Sequence, residues 1–294
     1  MLFWGTAYTG VRIALDDFGP GELAFGRFAV AAIVLVLLSI LRSAAGNPAA
    51  ALGPAPDRRD LPPLVALGLV GITAYHLLLN FGQQHVSPGV TSLILQTAPV
   101  FTTILVSVLG IERAPWRVWL GIAIASAGTS LLILGQGRDL TLRLSALLIV
   151  GCALTTSIYF VFQRRLAARY GTWKFTVWTI LVAAVSLGVY APSFAGQAPH
   201  AHWQGWAALA YLGAFPGAAG YALWSFAISE LGAATCASLL YFAPIVAFAF
   251  AWLLLGQPPT ASALAGGALT LAGVVLVNRA RAHAAALARA AEAP

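Results

Sequence analysis

Apolar residues fill this chain in continuous runs of about 20 residues, the length that spans a bilayer's hydrocarbon core as an α-helix. Ten such runs occur, roughly 1–15, 21–41, 62–85, 89–110, 115–135, 144–166, 174–192, 204–229, 233–255 and 261–279. Gly/Pro or charged punctuation divides them, as in Asp16-Asp17-Phe18-Gly19-Pro20 and Gly256-Gln257-Pro258-Pro259. The runs are continuous rather than alternating, which predicts helices and argues against a β-barrel. The expected fold is an all-α membrane protein of ten transmembrane helices. The chain begins inside an apolar run at Met1, so the first helix is expected to be short, with residues expected upstream. No small-residue cleavage site follows a short apolar core, so no cleaved signal peptide is read here.

The pattern repeats. A shift of 145 residues lays 67–131 on 212–276 without a gap. It pairs Leu67 with Leu212, Phe81 with Phe226, Ala98-Pro99 with Ala243-Pro244, and Ala127-Gly128 with Ala272-Gly273. Single Ala and Gly matches mean little in an apolar chain, whereas paired steps in register are hard to obtain by chance. Five spans per repeat is an odd number, so the second copy must enter the membrane upside down. The expected organisation is a repeat over 1–140, an inverted repeat over 141–282 and a short tail over 283–294. Inverted repeats are a recurrent plan of secondary transporters, with the solute site near the midplane between them.

Composition agrees with lipid as the solvent: hydrophobic residues make up 60% of the chain and charged residues 9%. A soluble domain carries about a quarter charged residues. The net charge of +7 comes from sixteen basic residues that sit in short gaps between apolar runs. They form no dense patch with interleaved aromatics, which excludes a nucleic-acid surface. With the N-terminus inside, twelve of the sixteen face the inside, among them Arg58, Arg59, Arg165 and Arg169, and two, Arg138 and Arg143, face the outside. That asymmetry expects both termini in the cytoplasm. Cys152 and Cys236 lie inside apolar runs without metal-like spacing and read as small packing residues.

Polar groups inside spans should face protein or water rather than lipid. In the third span His76, Asn80, Gln83 and Gln84 share one face, with Tyr75 beside them. The shift carries His76, Asn80 and Gln84 onto Tyr221, Ser225 and Ser229, and Trp224 joins that stripe. Gln96 lies with Ser92 and Thr103 on a face of the fourth span, and Tyr241 is its counterpart. Trp4, Tyr8 and Arg12 follow at i, i+4, i+8 in the first span, and a shift of 151 sets Thr155, Tyr159 and Gln163 under them. Such residues serve either as hydrogen-bonding glue between helices or as a lining for a pathway. The candidate substrate-binding set is His76, Tyr75, Asn80, Gln96, Tyr8, Tyr159, Tyr221, Trp224 and Tyr241. Pro99 and Pro244 occupy equivalent mid-span positions, each removes a backbone hydrogen bond, and together they are candidate hinges. Trp116, Trp119, Trp203 and Trp206 sit at span ends as interfacial belt residues. All nine acids lie at or near span ends, so no buried carboxylate offers itself as a proton or sodium carrier. Arg27 is inside the second span, where it either reaches the interface, pairs with Glu22 or Asp16, or meets the solute. No metal-ligand cluster, activated nucleophile or phosphate-cradling motif is present, so neither an enzyme, a metal site nor a cofactor is expected.

The chain resembles the drug/metabolite transporter superfamily, specifically its ten-helix EamA-type exporters, over essentially its whole length. The resemblance rests on Trp4-Gly5-Thr6, Arg27-Phe28, the Ala-Pro steps at 98–99 and 243–244, Gly110-Ile111-Glu112 and the Ala-Gly steps closing each repeat. Gly256-Gln257 departs from the pattern, where a Glu is common. The resemblance implies a bacterial inner-membrane exporter with two basket-like repeats around a central cavity. Among the members it is most similar to the aromatic amino-acid exporters, on overall similarity, Tyr75-His76 and the Tyr/Trp-rich stripes. The expected function is facilitated, alternating-access efflux of neutral amino acids and related small metabolites. Export of drugs or nucleobase-like metabolites, with His76 as a proton-coupling group, is one alternative, and a non-transporting membrane subunit or sensor is another. Small solutes and the lipid bilayer are the expected partners, and a monomer is expected because one chain holds both repeats.

Overall fold

The computed structural model describes residues 2–46, 55–111, 114–135, 139–221, 223–224, 227 and 240–292, with side chains of the last helix as far as His283. Among the described residues there is no strand, and helices follow one another along the chain. They are α1 (Leu2–Ala14), α2 (Pro20–Ala44), α3 (Leu61–Gln83), α4 (Pro88–Val108), α5 (Trp116–Leu134), α6 (Leu140–Tyr170) and α7 (Thr172–His200). After these come α8 (Trp203–Ala214), α9 (Ala243–Leu255) and α10 (Ala261–Glu292). Among the described residues seven helices are long and apolar enough to cross a membrane: α2 to α7, and α10 over Ala261–His283. Of the three other expected spans, α1 has 13 residues, and 204–229 and 233–255 each include residues outside the described ones.

The packing is that of a protein whose solvent is lipid. Large apolar side chains such as Ile33, Leu37, Val185 and Leu253 are exposed, while Thr9, Arg27, His76, Asn80, Gln83 and Thr270 are buried. Backbone pairing inside helices removes the polar cost of crossing hydrocarbon. The end-of-span tryptophans Trp116, Trp119, Trp203 and Trp206 are all exposed.

Small residues let helices meet backbone to backbone. The closest such approach joins α5 and α10. A Cβ placed on Gly121 would lie 2.9 Å from Gly273 O, and one on Gly128 would lie 2.8 Å from Gly266 O. At this separation any larger side chain would force the pair apart. Elsewhere hydroxyls knit the bundle: Thr6 and Tyr211 share a 2.5 Å bond between α1 and α8. Ser157 Oγ on α6 donates to Ala98 O on α4 at 2.8 Å.

Several of the described helices are locally irregular, among them α3, α4 and the starts or ends of α8 and α9. Leu69–Ala74 in α3 and Phe215–Ala219 after α8 are π-helical. In α4, Gln96 N and Thr97 N bond back three residues, to Leu93 O and Ile94 O, and Pro99 follows. A 3₁₀ turn at Leu240–Phe242 leads into α9, with Pro244 in its first turn. Pro244 has no N–H for Leu240 O, and Gln96 Nε2 takes that carbonyl instead at 3.1 Å.

Each end of the bundle has its own polar ties. At one end Arg169 Nη1 donates to Asp60 Oδ2 at 2.6 Å, and Arg169 also pairs with Asp57. At the other, Asp17 Oδ1 accepts from His202 N at 3.0 Å and Gly19 N donates to Gln197 Oε1 at 2.9 Å. Cys236 and Glu230 lie outside the described residues, as do Ser225 and Ser229.

Candidate functional site

Immediately after the π segment of α3 come Tyr75 and His76, and immediately after the one that follows α8 come Gly220 and Tyr221. A π turn adds one residue to the helical ladder, which rotates the following side chains relative to a regular helix; such turns are frequent at functional sites. Tyr159 packs its ring onto Gly71, inside the first π segment, where a Cβ would lie 2.1 Å from the ring. Pro216 sits inside the second, and its carbonyl accepts from Trp4 Nε1 at 3.3 Å.

The side chains that follow these segments converge with those of α1 and α2. His76 Nδ1 must carry its proton, because it faces Ile72 O at 2.8 Å, and a carbonyl only accepts. The imidazole meets the rings of Phe28 and Tyr75 edge-on, with centroids 4.5 and 4.6 Å away. Trp4 contacts Tyr221 and Trp224 at 5.9 and 5.0 Å. Arg27, 4% exposed, has the phenols of Tyr75, Tyr221 and Tyr8 as electrostatic neighbours. Its Cζ lies 5.4 Å from the Phe28 ring.

Several polar atoms here are buried without a partner. Asn80 Nδ2 donates to Pro20 O at 2.9 Å and Gln83 Nε2 to Tyr8 O at 3.2 Å. Their amide oxygens, Asn80 Oδ1 and Gln83 Oε1, accept nothing, and Arg27 Nε and the hydroxyls of Thr9 and Thr91 are likewise unpaired. Buried orphans of this kind are rare in proteins and call for a bound group or water. Chemically the region offers aromatic faces, hydroxyl donors, amide acceptors and one cation, which suits a small polar solute with a flat or apolar body.

The structure thus gathers Tyr8, Tyr75, His76, Tyr159, Tyr221 and Trp224 from the sequence-derived set, with Asn80 one turn further along α3. It sets Tyr241 apart: its hydroxyl accepts from Asn278 Nδ2, and the residue packs against a separate apolar cluster that includes Val100, Val118 and Val277. Gln96 is occupied by Leu240 O, so its side chain ties α4 to the start of α9. Arg12 pairs with Asp16 at 3.3 Å. Thr9 and Thr91 were not singled out by the sequence, since an isolated Thr on a span carries no signal. Arg27 stood between three readings there. The structure excludes its pairing with Asp16 or Glu22: Asp16 takes Arg12, and Glu22 Oε1 accepts from Ser193 Oγ at 2.6 Å.

Among the described residues every acid lies at a helix end: Asp139, for example, caps α6 through Thr141 N at 2.8 Å. Glu112 and Glu230 lie outside them. No group of three metal-ligating side chains occurs among the described residues. A separate cavity of about 470 Å³ opens at the Arg169 end, lined by Asp57, Arg58, Arg59, Asp60, Arg165 and Arg169.

Residues 1–134 and 143–279 match the model of the EamA-like transporter family. The chain is 33% identical over 92% of its length, and 86% of the relative's, to the uncharacterized transporter YdfC of Bacillus subtilis (strain 168). It is 32% identical over 94% of its length, and 90% of the relative's, to a probable terminal-alkyne amino-acid exporter of Streptantibioticus cattleyicolor. A solved crystal structure at 19% identity superposes with a TM-score of 0.63 over 94% of this chain and 93% of the other, which shows a shared fold.

Proposed function

The chain belongs to the EamA-like transporter family, and on that premise we propose that it exports amino acids, aromatic and other neutral ones, with related small metabolites, across a bacterial inner membrane. It is a multi-pass membrane transporter with bacterial relatives. The observation that carries the finer reading is the convergence of Tyr8, Arg27, Tyr75, His76, Tyr221 and Trp224 between four helical segments. Aromatic faces would stack on a planar side chain, phenols and Arg27 would meet a carboxylate, and the empty acceptors Asn80 Oδ1 and Gln83 Oε1 would meet an ammonium. The relative named as a terminal-alkyne amino-acid exporter supports an amino-acid scaffold as cargo.

The mechanism proposed is facilitated alternating access by two inverted repeats, 1–140 and 141–282, with the tail 283–294 beyond them. Three features support it. Under the 145-residue shift, the π-helical residues 70–74 fall on 215–219. The irregular pair Gln96-Thr97 falls on Tyr241-Phe242. The contact of Gly121 with Gly273 becomes that of Gly266 with Gly128, as a two-fold axis between α5 and α10 requires. Acids confined to helix ends favour downhill efflux, since no described intramembrane carboxylate is present to couple an ion. Both termini are proposed to be cytoplasmic, and the transporter to work as a monomer.

The test is counterflow in liposomes with a panel of amino acids, with and without a pH gradient. Counterflow of aromatic and other neutral amino acids, independent of the gradient, is the expected result. A panel that gives no counterflow overturns the substrate, and strict dependence on the gradient overturns the facilitated mechanism and points to His76.

A further inference from the structure

Among the described residues Arg27 is a charge without a counterion. It lies in the second turn of α2, is 4% exposed, and its Nε has no acceptor. Among the described residues no acid stands within ion-pair distance of it: Arg12 holds Asp16, Arg169 holds Asp57 and Asp60, His202 holds Asp17, and Ser193 holds Glu22. Its electrostatic neighbours Tyr75, Tyr221 and Tyr8 are phenols, which can share protons but bring no negative charge. The contact with Phe28, on the next residue, offsets part of the missing pairing but leaves the Nε–H donor without an acceptor. An unpaired guanidinium in apolar surroundings is expensive, and more so inside a membrane. Such a residue fits a site whose counterion arrives from outside the chain.

The geometry points to Arg27 as the anchor for a carboxylate on the transported solute, with the phenols of Tyr8, Tyr75 and Tyr221 donating to its remaining lone pairs. This rests on the amino-acid export reading and narrows it to solutes bearing one carboxylate. The planar fork of Arg matches a carboxylate in a bidentate way. One cation balances one anionic charge, whereas a phosphate dianion would call for a second, and the nearest candidate on α1, Arg12, is already paired. Binding of the carboxylate would also give the guanidinium an ion-pair partner, so that Arg27 is paired in the loaded carrier as it reorients.

The experiment uses the full chain, wild type and Arg27→Gln, with L-phenylalanine, its amide and 3-phenylpropionate as probes. Thermal unfolding in detergent is read with and without each probe, alongside counterflow in liposomes. Wild type is expected to be stabilised by L-phenylalanine and 3-phenylpropionate and not by the amide. Arg27→Gln is expected to lose that stabilisation and to weaken L-phenylalanine counterflow about 10- to 100-fold, as loss of charged hydrogen bonds does. Its probe-free melting temperature should hold or rise, because an uncompensated buried charge has gone; Arg27→Lys, which keeps the charge without the fork, should fall between the two. Equal stabilisation by the amide, or by any probe in Arg27→Gln, overturns the anchor. So does a lower probe-free melting temperature in Arg27→Gln, which signals an internal counterion. Carboxylate-dependent stabilisation with no amino-acid counterflow would keep the anchor and overturn the export reading.

Discussion

The carboxylate of Asp17 belongs to the turn after α1 but serves the start of α8, where His202 N donates to it at 3.0 Å and the His202 ring sits 2.7 Å away. The donated His202 N–H holds the Asp17 carboxyl below its usual range, the His202 ring and Gly205 N–H add to this, and partial burial opposes it. A carboxyl depressed in the folded state stabilises the protein above its unfolded pKa, about 4. That contribution is lost as pH falls through the folded value. Asp17→Asn, a neutral isostere, is therefore expected to lower stability at pH 7 by about 1 kcal/mol, the usual worth of a helix cap, with solvent screening the exposed His202 side. Thermal unfolding at pH 7 and below pH 4 checks this, and a gap of the same size at both would refute it. From the sequence Asp17 was only an acid in a turn. Its role needed α8, which begins 186 residues away at Trp203, to be folded beside it.

Among elements, the irregular helices matter most. Pro99 and Pro244 each follow a stretch of i→i+3 bonding, and the missing N–H of Pro244 frees the carbonyl that Gln96 then takes. The proposed hinge predicts that the double variant Pro99→Ala/Pro244→Ala stiffens both helices, slowing counterflow about tenfold while ligand-induced stabilisation persists. Unchanged rates would remove the hinge. The prolines were legible because proline carries its backbone consequence with it. The π segments were not: Pro216 marks one, but Leu69–Ala74 contains no proline, and its composition, Leu-Val-Gly-Ile-Thr-Ala, is that of an ordinary span. Its register depends on packing, with the Tyr159 ring on Gly71 and Thr73 Oγ1 bonded to Ser186 Oγ at 2.8 Å. For the same reason the stripes put Tyr75, His76 and Tyr221 in one set with Tyr241 and could not separate it from them, since it has the same spacing and a different surrounding.

For the molecule as a whole, sidedness is the property that charge alone argues. Arg58, Arg59, Arg165 and Arg169 gather round one cavity at one end of the bundle, and Asp17, Glu22, Ser193 and His202 meet at the other. A reporter fused to the C-terminus is expected to be active only if it works in the cytoplasm. An alkaline phosphatase fusion that is active there would reverse the proposed orientation. What the sequence determined by itself is whatever depends on one helix and its solvent: that apolar runs of this length enter lipid, where they lie, and which ends attract the basic residues. Those follow from transfer free energies summed along the chain, and no partner is needed to evaluate them. The tertiary structure decided which polar groups are satisfied by neighbours and which are not. Gln96 and Arg27 are both polar residues inside spans, but Gln96 meets a carbonyl freed by a proline on another helix, while Arg27 meets phenols and, among the described residues, no acid. That difference lies in the partners, and partners exist only once the helices have packed.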